Sequence, residues 1–421
     1  MTRKCALLLL LFCLTVSFAS AQDAAECTPA SGDPLRIGTV FSSAALLSSS
    51  AVQPYQGVIT MVDALNACGG VGGHPVELVN IPANNRDTAR EAVSKLKGDV
   101  PLIIGSGSPA VSEVLLEESR QGDFIYWEVS ESLDAPHQWS FSSLPTDSQL
   151  GSQTADFIQS SVTSLLDKTP LRLAIVHEKR PAAQAVVDAL IVSLSTPPTL
   201  IYAYDNVLTD GYAVAKQMRE KKVNVMVIVA FDRDSDQMWL SMRQADANVL
   251  AYIQVGSEPT RRNACNRIGN SDHLVTITRT GAVSDAYRQQ YIGAVDEHYT
   301  AAYMKQFALL PDAAADLSAS SVYLLLHDLL PQTANDFTVS NIQRILQSAQ
   351  LPTSSGIMGE GFQLDNTSFI NQSAVAIVQQ RQDNRFCSLF PSEIATCSAD
   401  LQPFPTWRER VSLPEFASCV D

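Results

Sequence analysis

The feature that most constrains this chain is a repeated alternation of short apolar runs with stretches of helical period. Leu35–Phe41, Pro75–Ile81, Pro101–Ile104 and Phe124–Trp127 read as strands. Gln53–Ala67, Arg86–Lys97 and a stretch from Pro109 to about Ser119 read as the helices between them, the first stopped by Gly69-Gly70. Strands without a polar face belong to a parallel sheet covered by helices on both sides. The pattern restarts after Pro145. Strands are expected at Arg172–Val176, Leu200–Tyr204, Val225–Val229, Val249–Gln254 and His273–Thr278, separated by helices at Gln149–Leu166, Ala182–Leu194, Gly211–Lys221 and Ser235–Ala245. Asp285–Lys305, Asp312–Leu330 and Ser340–Ser348 look helical, Gly356–Phe362 and Ala374–Gln380 strand-like, and the Pro- and Cys-rich tail 387–421 is expected to wrap the surface. The reading is therefore an α/β chain of two doubly wound lobes. Such sheets bind ligands outside the carboxyl ends of their strands, so two lobes facing each other make a cleft.

The ends and the charge narrow the setting. Arg3 and Lys4 precede the apolar run Ala6–Leu14, and Ala19-Ser20-Ala21 is a small-x-small cleavage site, the three regions of a secretory signal peptide over residues 1–21. The run is short for a retained anchor. A polar leader, 22–34, follows. Removing the signal takes the formal net charge from -15 to -17, because Arg3 and Lys4 leave with it and no acid does. Nucleic acid and anionic membrane are excluded as partners, since both need clustered Lys and Arg, and a diffusing monomer is expected. Six cysteines remain, an even number that reads as disulfides in an exported chain. Cys387–Cys397 closes a short loop. Cys27 and Cys68 stand at the same end of the first strand–helix unit, and Cys265–Cys419 follows by elimination. With no CxxC or HxxxH pattern, neither a metal nor a cofactor is expected.

Four stretches carry a resemblance. Ile37-Gly38-Thr39-Val40 leads to Gly57 and then to the run Asn66-Ala67-Cys68-Gly69-Gly70-Val71-Gly72-Gly73-His74-Pro75-Val76-Glu77-Leu78; Ile103–Ser108, Trp139–Asp147 and Ser355–Asp365 follow in order. Together they resemble the type I periplasmic solute-binding proteins, in the branch that binds leucine, isoleucine and valine, over about residues 35–385. The resemblance implies two Rossmann-like lobes joined by three crossovers (a periplasmic-binding-protein-like I fold), closing on ligand by a hinge motion. Lobe one is placed at 35–143 plus 277–345 and lobe two at 144–276 plus 346–386.

It also implies a site. Ser106-Gly107-Ser108 lies between a strand and a helix, where backbone N–H groups and a hydroxyl suit a carboxylate. Ser108 matches the serine that grips the ligand carboxylate, the plain alternative being a helix cap. Ser130 falls where the family contacts the ligand head group. Glu131 stands where threonine is usual, and either takes an extra ligand cation or faces water. Val255-Gly256-Ser257-Glu258 resembles the family's "mGpE", whose acid pairs with the ligand ammonium; otherwise Glu258 is a loop acid paired with Arg261 or Arg262. The family's "AYG" is replaced by Pro181-Ala182-Ala183 and a second cleft tyrosine by Ser50, so the aromatic walls are reduced. Phe231, Asp232 and Trp127 are the substitute walls considered, Trp127 being equally suited to the core. Asn366-Thr367-Ser368 and Asn371-Gln372-Ser373 are glycosylation sequons that matter only in a eukaryotic source.

Without a G-x-S-x-G elbow, HExxH or P-loop, the chain does not read as an enzyme. Two functions remain: a periplasmic or secreted protein that delivers a small polar ligand (amino acid, amide or related amine or carboxylate) to an ABC permease, and a ligand-sensing receptor module of the same fold.

Overall fold

A computed structural model describes residues 27–42, 53–256, 272–383, 385–397 and 400–411, apart from the side chains of 232, 410 and 411. The expected signal peptide, Ser50, Glu258, Arg261, Arg262, Cys265 and Cys419 lie outside the described residues.

The first sheet has five strands, β1 (Leu35–Phe41), β2 (Val76–Asn80), β3 (Leu102–Ser106), β4 (Ile125–Glu128) and β5 (Ser140–Ser142), in the order β2-β1-β3-β4-β5 and all parallel. Its strands are apolar on both sides because both faces are covered. Ile104 and Trp127 pack into one core, while Ile103 and Tyr126 pack into the other. The helices α1 (Gln53–Ala67), α2 (Arg86–Leu96) and α3 (Pro109–Ser119) provide the crossovers.

The second sheet contains β6 (Leu173–Glu178), β7 (Leu200–Tyr204), β8 (Val225–Val229), β9 (Ala251–Val255) and β10 (Val275–Thr278), all parallel to their neighbours. It is wound by α4 (Asp147–Ser160), α5 (Pro181–Ser193), α6 (Gly211–Glu220) and α7 (Asp232–Ala245). Beyond β10, the hairpin of β13 (Ile377–Gln382) and β14 (Arg385–Phe390) adds two antiparallel strands, giving β14-β13-β10-β9-β8-β6-β7. β11 (Gln350–Leu351) and β12 (Phe362–Gln363) form a separate ribbon.

Several expectations need correcting. Asp285–Lys305 is two helices, Asp285–Tyr291 and Ala294–Phe307, broken at Gly293 with φ of 48°. Gly356–Phe362 is mostly turn, because Gly356 and Gly359 stand at φ of 80° and 73° and cannot continue a strand. Residues 350–364 pack on the first lobe rather than the second: Ile357, Phe362 and Leu364 belong to the core that holds Trp127. The described part of the tail, 387–397 and 400–411, does more than wrap the surface. Cys387 lies in β14, and Phe404 and Trp407 pack edge-on against Trp239.

The chain therefore passes between lobes three times, near residues 143–147, 279–284 and 365–376. Thr146 and Gln149 form a reciprocal capping box that starts α4 just as the chain enters the second lobe. The crossings are bonded to one another. Arg279 donates to the Pro145 carbonyl at 2.9 Å and pairs with Asp147, and Asn371 donates to the carbonyls of Ser143 (2.9 Å) and Gly361 (2.8 Å). Asn371 is 3% exposed, so its sequon is inaccessible in the folded protein, whereas Asn366 is exposed.

Cys27 is bonded to Cys68 and Cys387 to Cys397, with Cα–Cα distances of 4.3 and 5.4 Å. Among the described residues, Cys27, Cys68 and His298 are the one trio of metal-type ligands close together, and both sulfurs are spent in the disulfide. No helix among the described residues is long and apolar enough to cross a membrane.

Gly57 shows how tightly the first lobe is packed. A Cβ there would stand 2.1 Å from the Ala315 carbonyl oxygen, so only glycine lets α1 lie against the helix Ala313–Tyr323. Gly57→Ala is expected to lower unfolding free energy by about 1–3 kcal/mol, the usual cost of overpacking. Urea titration followed by circular dichroism measures it, and an unchanged midpoint would contradict the close approach.

Candidate ligand site between the lobes

The carboxyl ends of β3 and β4 hold the first lobe's share of the site, and Glu128 organises it. This side chain ends β4 and is fully buried. One carboxylate oxygen, Oε2, accepts from the hydroxyls of Ser106 (3.0 Å), Ser112 (2.6 Å) and Tyr126. The other, Oε1, accepts from the backbone N–H groups of Val129 (2.9 Å), Ser130 (2.8 Å) and Glu131 (3.0 Å) and from the Ser130 hydroxyl (3.0 Å). Burial, with the Glu128 charge beside it, holds the Tyr126 phenol protonated well above its ordinary range. One carboxylate thus fixes the loop after β4 and ties it to β3 and α3.

Ser106 is fully buried and spends its hydroxyl on Glu128, so it supports the site rather than lining it. Ser130 is half-buried; its oxygen accepts from Gly107 N at 2.8 Å while its proton goes to Glu128. The hydroxyl therefore has no proton left for a ligand carboxylate. Ser108 precedes Pro109 at the N-terminus of α3, and its side chain caps no backbone group. The plain capping role considered from sequence is therefore unfilled.

Trp127 corrects the wall assignment. Side chains alternate along β4, so Trp127 points opposite to Tyr126 and Glu128, into the core. It is fully buried, donates its indole N–H to Ser321 at 2.9 Å, and its ring centroid lies 5.5 Å from that of Phe362. It is core and forms no wall of the cleft.

Glu131 is half-buried. Among the described residues its carboxylate has neither a hydrogen-bond nor an ion-pair partner. Burial first and the neighbouring Glu128 second push its pKa up to about 7; Asp147 adds to the rise, and the guanidiniums of Arg279 and Arg180 oppose it. Since Arg180 follows β6, this loop of the first lobe faces the strand ends of the second. Asp147 is also raised, by burial, with its Arg279 partner opposing.

The second lobe presents Arg180 and Phe231. The Arg180 guanidinium lies 4.1 Å over the Phe231 ring and its Nε is 3.2 Å from Glu178. Phe231 is 53% exposed, consistent with a surface facing open space. The side chain of Asp232 is outside the described set, as is the whole of Glu258. Glu128 and Arg180 were missed from sequence. The available signals were an acid ending the otherwise apolar run Ile-Tyr-Trp-Glu and a basic residue just past a strand end.

Two α/β lobes with three chain crossings and opposed strand ends define a hinged binding fold. The chain matches the periplasmic binding protein family over residues 34–384 and belongs to that family. No curated protein sequence matches it. Among solved structures, a putative branched-chain amino acid ABC transporter protein from Silicibacter pomeroyi is similar with a TM-score of 0.69 at 15% identity, covering 89% of this chain and 100% of that one. LivJ of Streptococcus pneumoniae, a branched-chain amino acid transporter substrate-binding protein in complex with isoleucine, gives 0.62 at 14%, with 84% and 98% covered. The leucine-binding protein LivK of Thermotoga maritima gives 0.60 at 13%, with 84% and 97% covered. Identities this low establish the shared fold alone.

Proposed function

We propose that this protein captures a small polar solute bearing a carboxylate and an amine, outside the cytoplasm, and delivers it as a diffusible monomer to an ABC permease. What supports the reading is family membership over residues 34–384, together with Glu131 in the electrostatic reach of Arg180, Arg180 over the Phe231 ring, and Ser108 at the N-terminus of α3 with its hydroxyl unused as a cap. The Ser108 hydroxyl, not used as a cap, and the N-terminal end of α3 receive the carboxylate. The resemblance assigns the ligand ammonium to Glu258. The similar structures include proteins in complex with isoleucine and with leucine, which supports an amino acid as ligand class. The chemistry is capture and release, since the family consists of binding proteins. Its name and the signal-like N-terminus support an extracytoplasmic location.

A thermal-shift screen of amino acids, amides, polyamines and small carboxylates tests the reading. A true ligand at about 100 times its Kd adds roughly 2.7 kcal/mol of stability. Ser108→Ala is expected to weaken a carboxylate ligand by about 1.5–3 kcal/mol, the range for a hydrogen bond to a charged group, as measured by calorimetry. Unaltered affinity would remove Ser108 from the site.

A further inference from the structure

The end of β4 offers a ligand acceptors and almost no donors. The N–H groups of Val129, Ser130 and Glu131 all point at one oxygen of Glu128, and the Ser130 proton goes to the same atom. None of these four donors is left for a ligand carboxylate placed here. What remains toward the cleft is the Glu131 carboxylate, with no partner among the described residues, and a lone pair of the Ser130 oxygen.

The charged groups around Glu131 come from every element packed against it: Glu128 of β4, Asp147 of α4, Arg279 after β10 and Arg180 before α5. Both arginines are engaged elsewhere, Arg279 with Asp147 and the Pro145 carbonyl, and Arg180 with Glu178 and the Phe231 face. Among the described residues, four carboxylates, Glu178 included, meet two guanidiniums, so the described part of the site has more acids than cations.

We propose that the ligand carries a second cationic group, as a basic amino acid does, and that Glu131 with the Ser130 oxygen receives it. This deepens the solute-binding reading and rests on it. Threonine, the residue expected from the resemblance at this position, has no charge to offer, so Glu131 marks the point where ligand class changes.

Calorimetry with L-lysine, L-norleucine (the same carbon chain without the terminal ammonium) and L-glutamate tests it, on the wild type and on Glu131→Gln and Glu131→Asp. Lysine is expected to bind at least about tenfold tighter than norleucine at pH 8. That ratio collapses in Glu131→Gln and survives in Glu131→Asp. Because a bound cation requires the ionised carboxylate, lysine affinity falls by up to about tenfold per pH unit below the Glu131 pKa of about 7, while norleucine affinity does not follow. Norleucine or glutamate binding as tightly as lysine overturns the proposal and leaves the amino-acid site standing. A lysine preference that persists unchanged in Glu131→Gln also overturns it. If none of the three binds, the amino-acid reading of the cleft falls as well.

Discussion

Glu128→Ala is expected to lower stability by about 3–5 kcal/mol and to abolish ligand binding. The magnitude follows from the donors left behind, since losing the buried charged partner of a bonded network costs this much. Seven donor groups converge on the carboxylate, three of them backbone N–H groups that cannot turn away. Glu128→Gln separates hydrogen bonding from packing. Its amide oxygen can face Val129, Ser130 and Glu131 while its NH2 meets the hydroxyls of Ser106, Ser112 and Tyr126, which can rotate to accept. It is expected to cost about 1–3 kcal/mol. Urea unfolding with linear extrapolation gives both values. A loss below about 1 kcal/mol for the alanine variant, small against the range expected for a buried network, would mean that the loop after β4 holds its shape without this residue.

Replacing Cys27 and Cys68 together by serine is expected to cost about 2–4 kcal/mol, seen as a lowered Tm in scanning calorimetry. The bond spans 41 residues of sequence, and chain-entropy arguments place a loop of that size toward the upper end of the range. It joins the segment before β1 to the end of α1. The Cys387–Cys397 bond spans only 10 residues, so its removal is expected to cost less. The reverse order of the two losses would rule out loop closure as the source of the stabilisation.

Much of the architecture was legible because parallel strands buried on both faces are written as unbroken apolar runs. Val225–Val229, entirely buried, is one such run. Glycine broke the same logic at Gly356 and Gly359, where apolar neighbours suggested a strand and positive φ enforced a turn. The assignment of 350–364 to the wrong lobe has a related origin: Phe362 is equally apolar wherever it is buried, and only its contact with Trp127 shows in which core. The site was legible by position more than by role. Ser106 and Trp127 do stand at or near strand ends, but the parity of β4 sends Trp127 into the core, and Ser106 serves Glu128. A hydrogen-bond hub such as Glu128 leaves little trace in sequence, because its partners come from Ser106, Ser112 and Tyr126 as well as from its own loop.

The first lobe's core mixes Ile37 and Trp127 with Tyr299, Leu326 and Phe362, residues separated by more than half the chain. During synthesis the early strands are therefore made with α1 as their first cover on this face, long before Tyr299, Leu326 and Phe362 complete it. Until about residue 364 has left the ribosome, that apolar face has only provisional cover, and the nascent chain is most exposed to aggregation in this interval.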